Sequence, residues 1–264
     1  MATVRPTLLQ RLRQSARSCA PAWYRDLRRA QLLRRHDTFF HGKQPEEVFS
    51  HIYENDAWGA ATDPADYFSG TGSHEAAITD PYVNAVTAYL RTLPRAPDVV
   101  DLGCGDFHVG SRIRPACARY IACDVVPGLI EANRRRYVDH DVEFRCIDAS
   151  RDDLPPGDIV FVRQVLQHLD NARIASVLGQ VRRYQTLVLT EHLPLAHFQP
   201  NADKVVGATT RLMLGAPSGV VVTAPPFNLR AVSARVLCEV REGDGIIQTT
   251  VYELAQAPMT YASA

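Results

Sequence analysis

The stretch Val99-Val-Asp-Leu-Gly-Cys-Gly-Asp106 constrains this chain more than any other. A short apolar run ends in an acid, and two glycines follow at alternate positions. Such a run reads as a buried strand that breaks into a tight glycine turn. Glycine lets backbone lie against a ligand where a Cβ would collide. Asp101 falls at the strand's end, where its carboxylate can face a bound cation or amine. Nucleotide-type cofactors bind at such strand-to-helix crossings in α/β sheets. The dinucleotide fingerprint G-x-G-x-x-G is not met, because after Gly103 and Gly105 the next glycine is Gly110, two places late.

The following segments repeat the theme. Arg119 to Cys123 forms a second strand, capped by Asp124. That acid lies roughly twenty residues past the glycine turn, the usual place for a carboxylate that holds ribose hydroxyls. Its other reading is a helix cap, since Pro127 opens the next helix. Val142 to Ile147 alternates and ends at Asp148, which faces a ligand or closes a turn over Ser150 and Arg151. Ile159 to Val162 ends at Arg163 and Gln164, and Leu187 to Leu189 is the heart of a strand ending at Glu191 and His192. Polar residues at the C-terminal ends of five strands predict one cleft along one edge of a parallel sheet. Ser233 to Val240 and Ile246 to Leu254 alternate on either side of a turn at 241–245, which reads as an antiparallel hairpin.

The series Asp101-Leu-Gly-Cys-Gly-Asp106, Ile-Ala-Cys-Asp124, Cys-Ile-Asp148-Ala149 and Arg163-Gln164-Val-Leu-Gln-His168-Leu resembles the class I S-adenosylmethionine-dependent methyltransferases over about residues 97 to 254. Upstream, Ile52 to Gly59, with Trp58, and Ser69-Gly-Thr-Gly-Ser73 look like the lead-in of a bacterial subgroup with Gly-Cys-Gly-Asp-Phe in its glycine loop, as does Pro225-Pro-Phe-Asn-Leu229. The resemblance implies a Rossmann-like, seven-stranded, mostly parallel α/β sheet with a C-terminal antiparallel hairpin and an N-terminal helical extension. It implies S-adenosyl-L-methionine as cofactor, with Asp101 near its amino group, Asp124 at the ribose and Asp148 at the adenine. Trp58, Gly103, Gly105, Ala149 and Gln164 complete the implied cofactor set. Asp106 departs from the family, where Thr-Gly or Ser-Gly is common, and is expected to narrow the space near the methionine moiety.

The 264 residues, 46% of them hydrophobic, suffice for one sizeable core. Lys+Arg equals Asp+Glu at 29 each, so no overall charge favours nucleic acid. No run is long enough to span a membrane, and the N-terminus lacks the apolar core of a signal peptide. The cysteines Cys19, Cys104, Cys117, Cys123, Cys146 and Cys238 form no CxxC pair and no zinc spacing. They read as buried free thiols of a reducing, cytoplasmic compartment.

Three regions follow. Residues 1–45 are a basic helical extension, residues 46–95 a lid loop with the first core helix, and residues 96–264 the cofactor-binding core. Residues 1 to 36 hold nine arginines and one acid, Asp26. Trp23, Leu27, Ala30 and Leu33 approximate an apolar stripe on a helix started at Pro21, after another from about Pro6. This patch either docks peripherally on an anionic membrane, a protein or a second copy in a homodimer, or leaves its arginines solvated. Residues 46 to 55 read as a short helix and 56 to 77 as a lid over the cofactor. The first core helix is expected from Pro81 to about Leu93, capped by Asp80. Residues 194 to 229 form the irregular wall of the substrate pocket.

Methyl transfer needs the nucleophile and an activated methyl held in line in a dry cavity. A hydroxyl acceptor also needs a base, for which His168 and His192 are the candidates; local packing is the other reading of each. The expected reaction is O-methylation of a small-molecule or glycan-like acceptor, with no nucleic acid involved. Two rivals stay open: an NAD-dependent oxidoreductase on a dinucleotide-binding fold, and a non-catalytic methyltransferase-like partner subunit.

Overall fold

A computed structural model of the protein describes residues 22–63 and 66–255. The helix expected from Pro6, Cys19 and the side chain of Trp23 lie outside the described residues. The chain divides into two compact units between Phe39 and Phe40, ahead of the boundary expected near residue 45. In the first unit, α1 (Ala22–Phe40) follows Pro21 as expected. Its predicted stripe is not buried: Leu27 and Ala30 are exposed and Leu33 is half-buried.

The second unit opens with α2 (Pro45–Glu54), where proline occupies the first turn and the Gln44 amide donates to Glu47 at 3.0 Å. Val48 and Ile52 form its buried face. The predicted loop then contains a short turn of helix, α3 (Thr71–His74). The first core helix is α4 (Ala76–Arg91), so it starts before Pro81 and Asp80 caps nothing. Instead Asp80 pairs with Arg112 at 2.7 Å. The reason is apolar: Ile78 and Thr79 are buried with Tyr82, Val83 and Val86, and their burial outweighs the one hydrogen bond that proline removes near the helix start.

The remaining elements alternate: β1 (Asp98–Leu102), α5 (His108–Ile113), β2 (Arg119–Asp124), α6 (Pro127–Arg136), β3 (Glu143–Cys146), β4 (Ile159–Arg163), α7 (Asn171–Val181) and β5 (Thr186–Pro194), then β6 (Ala231–Glu242) and β7 (Gly245–Leu254). They form one seven-stranded sheet in the order β3-β2-β1-β4-β5-β7-β6. The first five strands are parallel, and the hairpin enters with β7 antiparallel to β5.

Successive side chains of a strand point to opposite faces, so the apolar runs divide into two cores. Val100, Leu102, Val160 and Val162 pack toward α2 and α7 with Ile52 and Ile174. Val99, Tyr120, Ile159 and Phe161 pack with Val86 of α4, Ile113 of α5 and Ile130 of α6. Cover on both faces explains why these strands read as continuous apolar runs. The thiols of Cys104, Cys117, Cys123, Cys146 and Cys238 are free; Cys146 is exposed on the edge strand β3, against the expected burial.

Candidate active site

The strand order turns back between β1 and β4, and a crevice opens at the C-terminal ends of the strands where such a reversal occurs. Here it is a cleft of about 440 Å³. Every residue singled out above as binding or catalytic lines it, from Trp58 to His192.

Its floor is the glycine turn. Gly103 and Gly105 have φ of +71° and +55°, in the region where glycine carries no steric cost. A Cβ on Gly103 would overlap Val165, and one on Gly105 would overlap the Ser69 hydroxyl. Three anchors hold the loop. The Gly103 and Cys104 amides donate to the Cys123 carbonyl at 2.8 and 2.9 Å. The Gly105 amide donates to Asp124 Oδ2 at 3.1 Å, and Asn133 Nδ2 of α6 donates to the Gly105 carbonyl at 2.7 Å. Asp124 also accepts from the Val126 amide at 3.2 Å. It therefore closes a turn ahead of α6, whose N-cap is Val126 with no side-chain cap, and lines the cleft.

Burial raises the pKa of Asp101 to about 7, against the opposing pull of the Tyr120 hydroxyl, which donates to it at 2.9 Å, and of Arg163. Burial likewise raises Asp124 to about 6, opposed by the amides it accepts. Two desolvated carboxyls in one cleft suit a ligand carrying positive charge and hydroxyl donors. Arg163, at the end of β4, donates to the Gly72 carbonyl at 2.6 Å and to Ser73 Oγ at 3.2 Å, and its guanidinium stands 5.0 Å from the Tyr82 ring centre. Its Nε is buried with no partner, a polar atom that a ligand acceptor would satisfy. Asp148 Oδ1 accepts from the Ser150 amide and hydroxyl at 2.9 and 2.6 Å, so it closes its turn as well as lining the cleft beside Ala149. Gln164 turns at φ +55°, and its Oε1 would lie 3.0 Å from a Cβ on Gly72.

The segment at 69–74, expected to act as a lid, is bound to the glycine turn. Ser69 and Asp106 exchange hydrogen bonds, and Ser69 Oγ lies 3.0 Å from the Tyr53 hydroxyl. His74 Nε2 meets Asp106 Oδ2 at 2.5 Å and its ring stacks on His108 and Phe68. The expected role of Asp106 thus changes: its carboxylate is spent on the lid. Trp58 stands edge-on to Tyr53 at 5.2 Å and tilts against His168 at 5.2 Å.

The two histidines that line the cleft differ. His168 Nδ1 donates to the Gly207 carbonyl at 3.1 Å and its Nε2 lies 3.3 Å from Gln167 Nε2. Burial drives its pKa down to about 3. His192 places Nε2 3.2 Å from the Glu242 carbonyl and Nδ1 3.3 Å from the Glu242 carboxylate. Behind this wall lies Arg211, fully buried, donating to the carbonyls of Ala202, Leu166, Gln167 and Leu169 and to Asn171 Oδ1. It ties the wall residues Ala208 and Thr210 to the turn carrying Gln167 and His168. Glu191 is buried near Arg211, and burial raises its carboxyl to about 8.

Sequence reasoning left out Arg163 as a ligand group, Tyr120, Asn133, Ser69, His74 and Arg211. Arg163 carried a signal, a cation ending an apolar strand. Arg211 carried none, because a lone arginine in a segment without periodicity reads as surface.

Residues 100–186 match the family described as methyltransferase domain. No curated protein matches the chain in sequence. Among solved structures, an N-methyltransferase, NodS from Bradyrhizobium japonicum WM9 in complex with S-adenosyl-L-homocysteine, is 16% identical over 76% of this chain and 98% of its own, with a TM-score of 0.55. A magnesium protoporphyrin IX methyltransferase from Synechocystis with bound S-adenosylmethionine is 15% identical over 80% of this chain and 99% of its own, with a TM-score of 0.48. The fold, with its reversed hairpin, and the family match define a methyltransferase domain. Residues 100–186 carry the methyltransferase-domain match, and the chain shares the fold of the solved N-methyltransferase.

Proposed function

We propose that the protein transfers the methyl of S-adenosylmethionine to an oxygen of a small-molecule or glycan-like acceptor. One observation carries this reading: the residues expected to hold the cofactor and those expected to meet the acceptor line one and the same cleft. The bound cofactor supplies a sulfonium-activated methyl group. The chain's residues supply placement. Asp124 takes the ribose hydroxyls, Asp148 and Ala149 the base, and Asp101 the amino group, while Arg163 Nε meets the carboxylate. Trp58 and the lid segment at Ser69 to Ser73 keep water out, which an in-line displacement in a dry site requires.

The preference for oxygen rests on His192. The ring's tautomer follows from its partners: Nε2–H donates to the Glu242 carbonyl, which leaves the lone pair on Nδ1. When Nδ1 takes a proton from an acceptor hydroxyl, the Glu242 carboxylate 3.3 Å away stabilises the imidazolium. His168, held near pKa 3 and engaged at both nitrogens, shapes the pocket rather than taking protons. The free thiols suit a reducing compartment, so the proposal includes a cytoplasmic location.

Calorimetry with S-adenosylhomocysteine and NAD, followed by an acceptor screen with methyl-labelled cofactor, tests the reading. Heat with the first ligand alone and label on an ether oxygen are expected. Heat with NAD alone overturns the cofactor assignment, and label on nitrogen overturns the acceptor assignment.

A further inference from the structure

We propose that α1 docks the protein on an anionic lipid surface. The inference is independent of the acceptor's identity and starts from how charge is distributed. The chain is neutral overall, but residues 1–36 carry nine arginines against one acid, and residues 37–264 carry 20 Lys and Arg against 28 Asp and Glu. The segment is thus strongly cationic on an otherwise anionic protein. A surface that attracts it must be anionic and must contact this segment without presenting itself to the rest of the chain. An extended, charged plane does this.

The exposed face of α1 adds a second requirement. Leu27 is 50% exposed and Leu32 65% exposed, and Tyr24 and Phe39 are partly exposed, at 42% and 47%. At 3.6 residues per turn these four positions, with Arg28 and Arg35, fall within about 140° of helix circumference. Arg28 and Arg35 are exposed, and the Arg28 guanidinium stands 5.9 Å from the Tyr24 ring centre. Asp37, paired with His36 at 3.0 Å, falls on the other side of the helix.

Arginines interleaved with leucine and aromatic side chains on one face fit the boundary between headgroups and acyl chains. There, aliphatic stems lie along apolar surface and guanidinium groups reach phosphates. A nucleic acid backbone would satisfy the arginines and leave Leu27 and Leu32 wet. Among the described residues no helix is long and apolar enough to cross a membrane, so the contact is peripheral.

The test uses the full chain in sedimentation with phosphatidylcholine vesicles, pure or with about 30 mol% phosphatidylglycerol, at low and high salt. The protein is expected to sediment with the anionic vesicles, to be released as salt rises, and to ignore the neutral ones. R28Q/R34Q/R35Q should lower partitioning at least about tenfold, since each basic residue near such a surface contributes measurably. L27S/L32S should weaken the binding that persists at higher salt. Heat with S-adenosylhomocysteine, unchanged in both variants, shows that they fold. No preference for anionic vesicles overturns the proposal. So does binding unaffected by L27S/L32S and competed by duplex DNA, which marks a nucleic-acid arm, or a dimer that forms through α1 and excludes vesicles.

Discussion

Ser69 and Asp106 hold each other twice: the Ser69 amide donates to Asp106 Oδ2 at 3.0 Å, and the Asp106 amide donates to Ser69 Oγ at 2.8 Å. The pair joins the lid to the glycine turn across 37 residues of sequence. On the proposed function, ligand retention depends on this contact as well as on the cleft's carboxylates. A hydrogen bond to a charged group contributes about 1.5–3 kcal/mol. Asp106→Ala should raise the S-adenosylhomocysteine Kd by about ten- to a hundredfold, chiefly through faster dissociation, as stopped-flow displacement would read. An unchanged off-rate would show that the lid is held by other contacts.

The raised carboxyls make stability fall with alkali. Asp101 at about 7, Asp124 at about 6 and Glu191 at about 8 all bind protons more tightly folded than unfolded. Their contribution is full below the unfolded pKa and is lost as pH rises through the folded values. His168, lowered to about 3, acts oppositely, losing stability as pH falls below the ordinary histidine range. The Tm of the free protein should therefore rise as pH is lowered from about 8.5 to about 4.5, with His168 offsetting one of the three carboxyls below about pH 6.5. Glu191→Gln should flatten the upper part of that profile, as differential scanning fluorimetry across buffers would detect.

Cofactor binding should release protons for the same reason. A positive ligand beside Asp101 stabilises its ionised form, so the affinity for S-adenosylmethionine should increase between pH 6 and 8. Calorimetry at pH 6.5 in buffers of different ionisation enthalpy should register that release. Asp101→Asn should abolish most of it, and its persistence would assign the proton to Asp124.

Arg211 is the least replaceable residue of the acceptor wall. Removing a buried charge that donates to five acceptors leaves most of them desolvated and unpaired, although the Leu166 carbonyl keeps the Leu169 amide. Arg211→Leu should cost about 3–5 kcal/mol, seen as a lowered denaturant midpoint with unchanged m. Arg211→Lys keeps the charge but not the planar fork and should recover only part of the loss. If the lysine variant matches the wild type, the charge beside Glu191 matters and the fork does not.

How much of this was legible beforehand depended on how local each signal was. Asp101, Gly103, Gly105 and Asp124 could be read because a strand end, a turn and a fixed spacing are encoded in adjacent residues. The five parallel strands and the hairpin were legible for the same reason. The start of α4 was missed because Pro81 is a strong local stop that the buried face at Ile78 and Tyr82 overrides. The partners of the site were missed because they come from afar. Asn133 reaches Gly105 over 28 residues and Arg211 reaches Leu166 over 45, and neither separation leaves a period in the chain. The two histidines look equivalent in sequence; burial and their hydrogen-bond partners separate them.

That separation leads to the sharpest kinetic expectation. His168 spends Nδ1–H on Gly207 and meets the Gln167 amide with Nε2, and desolvation holds it neutral far below neutrality. His192 has the Glu242 carboxylate beside the nitrogen that would take a proton. General-base catalysis contributes about 10²–10⁴-fold. Once the labelled-cofactor screen supplies an acceptor hydroxyl, His192→Ala should lower kcat by about two orders of magnitude. Cofactor affinity should be unchanged. His168→Asn should raise KM for the acceptor, through the altered packing of Trp58 and Phe49 against the ring, and leave kcat near the wild-type value. A kcat lost in the His168 variant and kept in the His192 variant would reverse the two roles and require Gln167 to swing away from Nε2 when the acceptor binds.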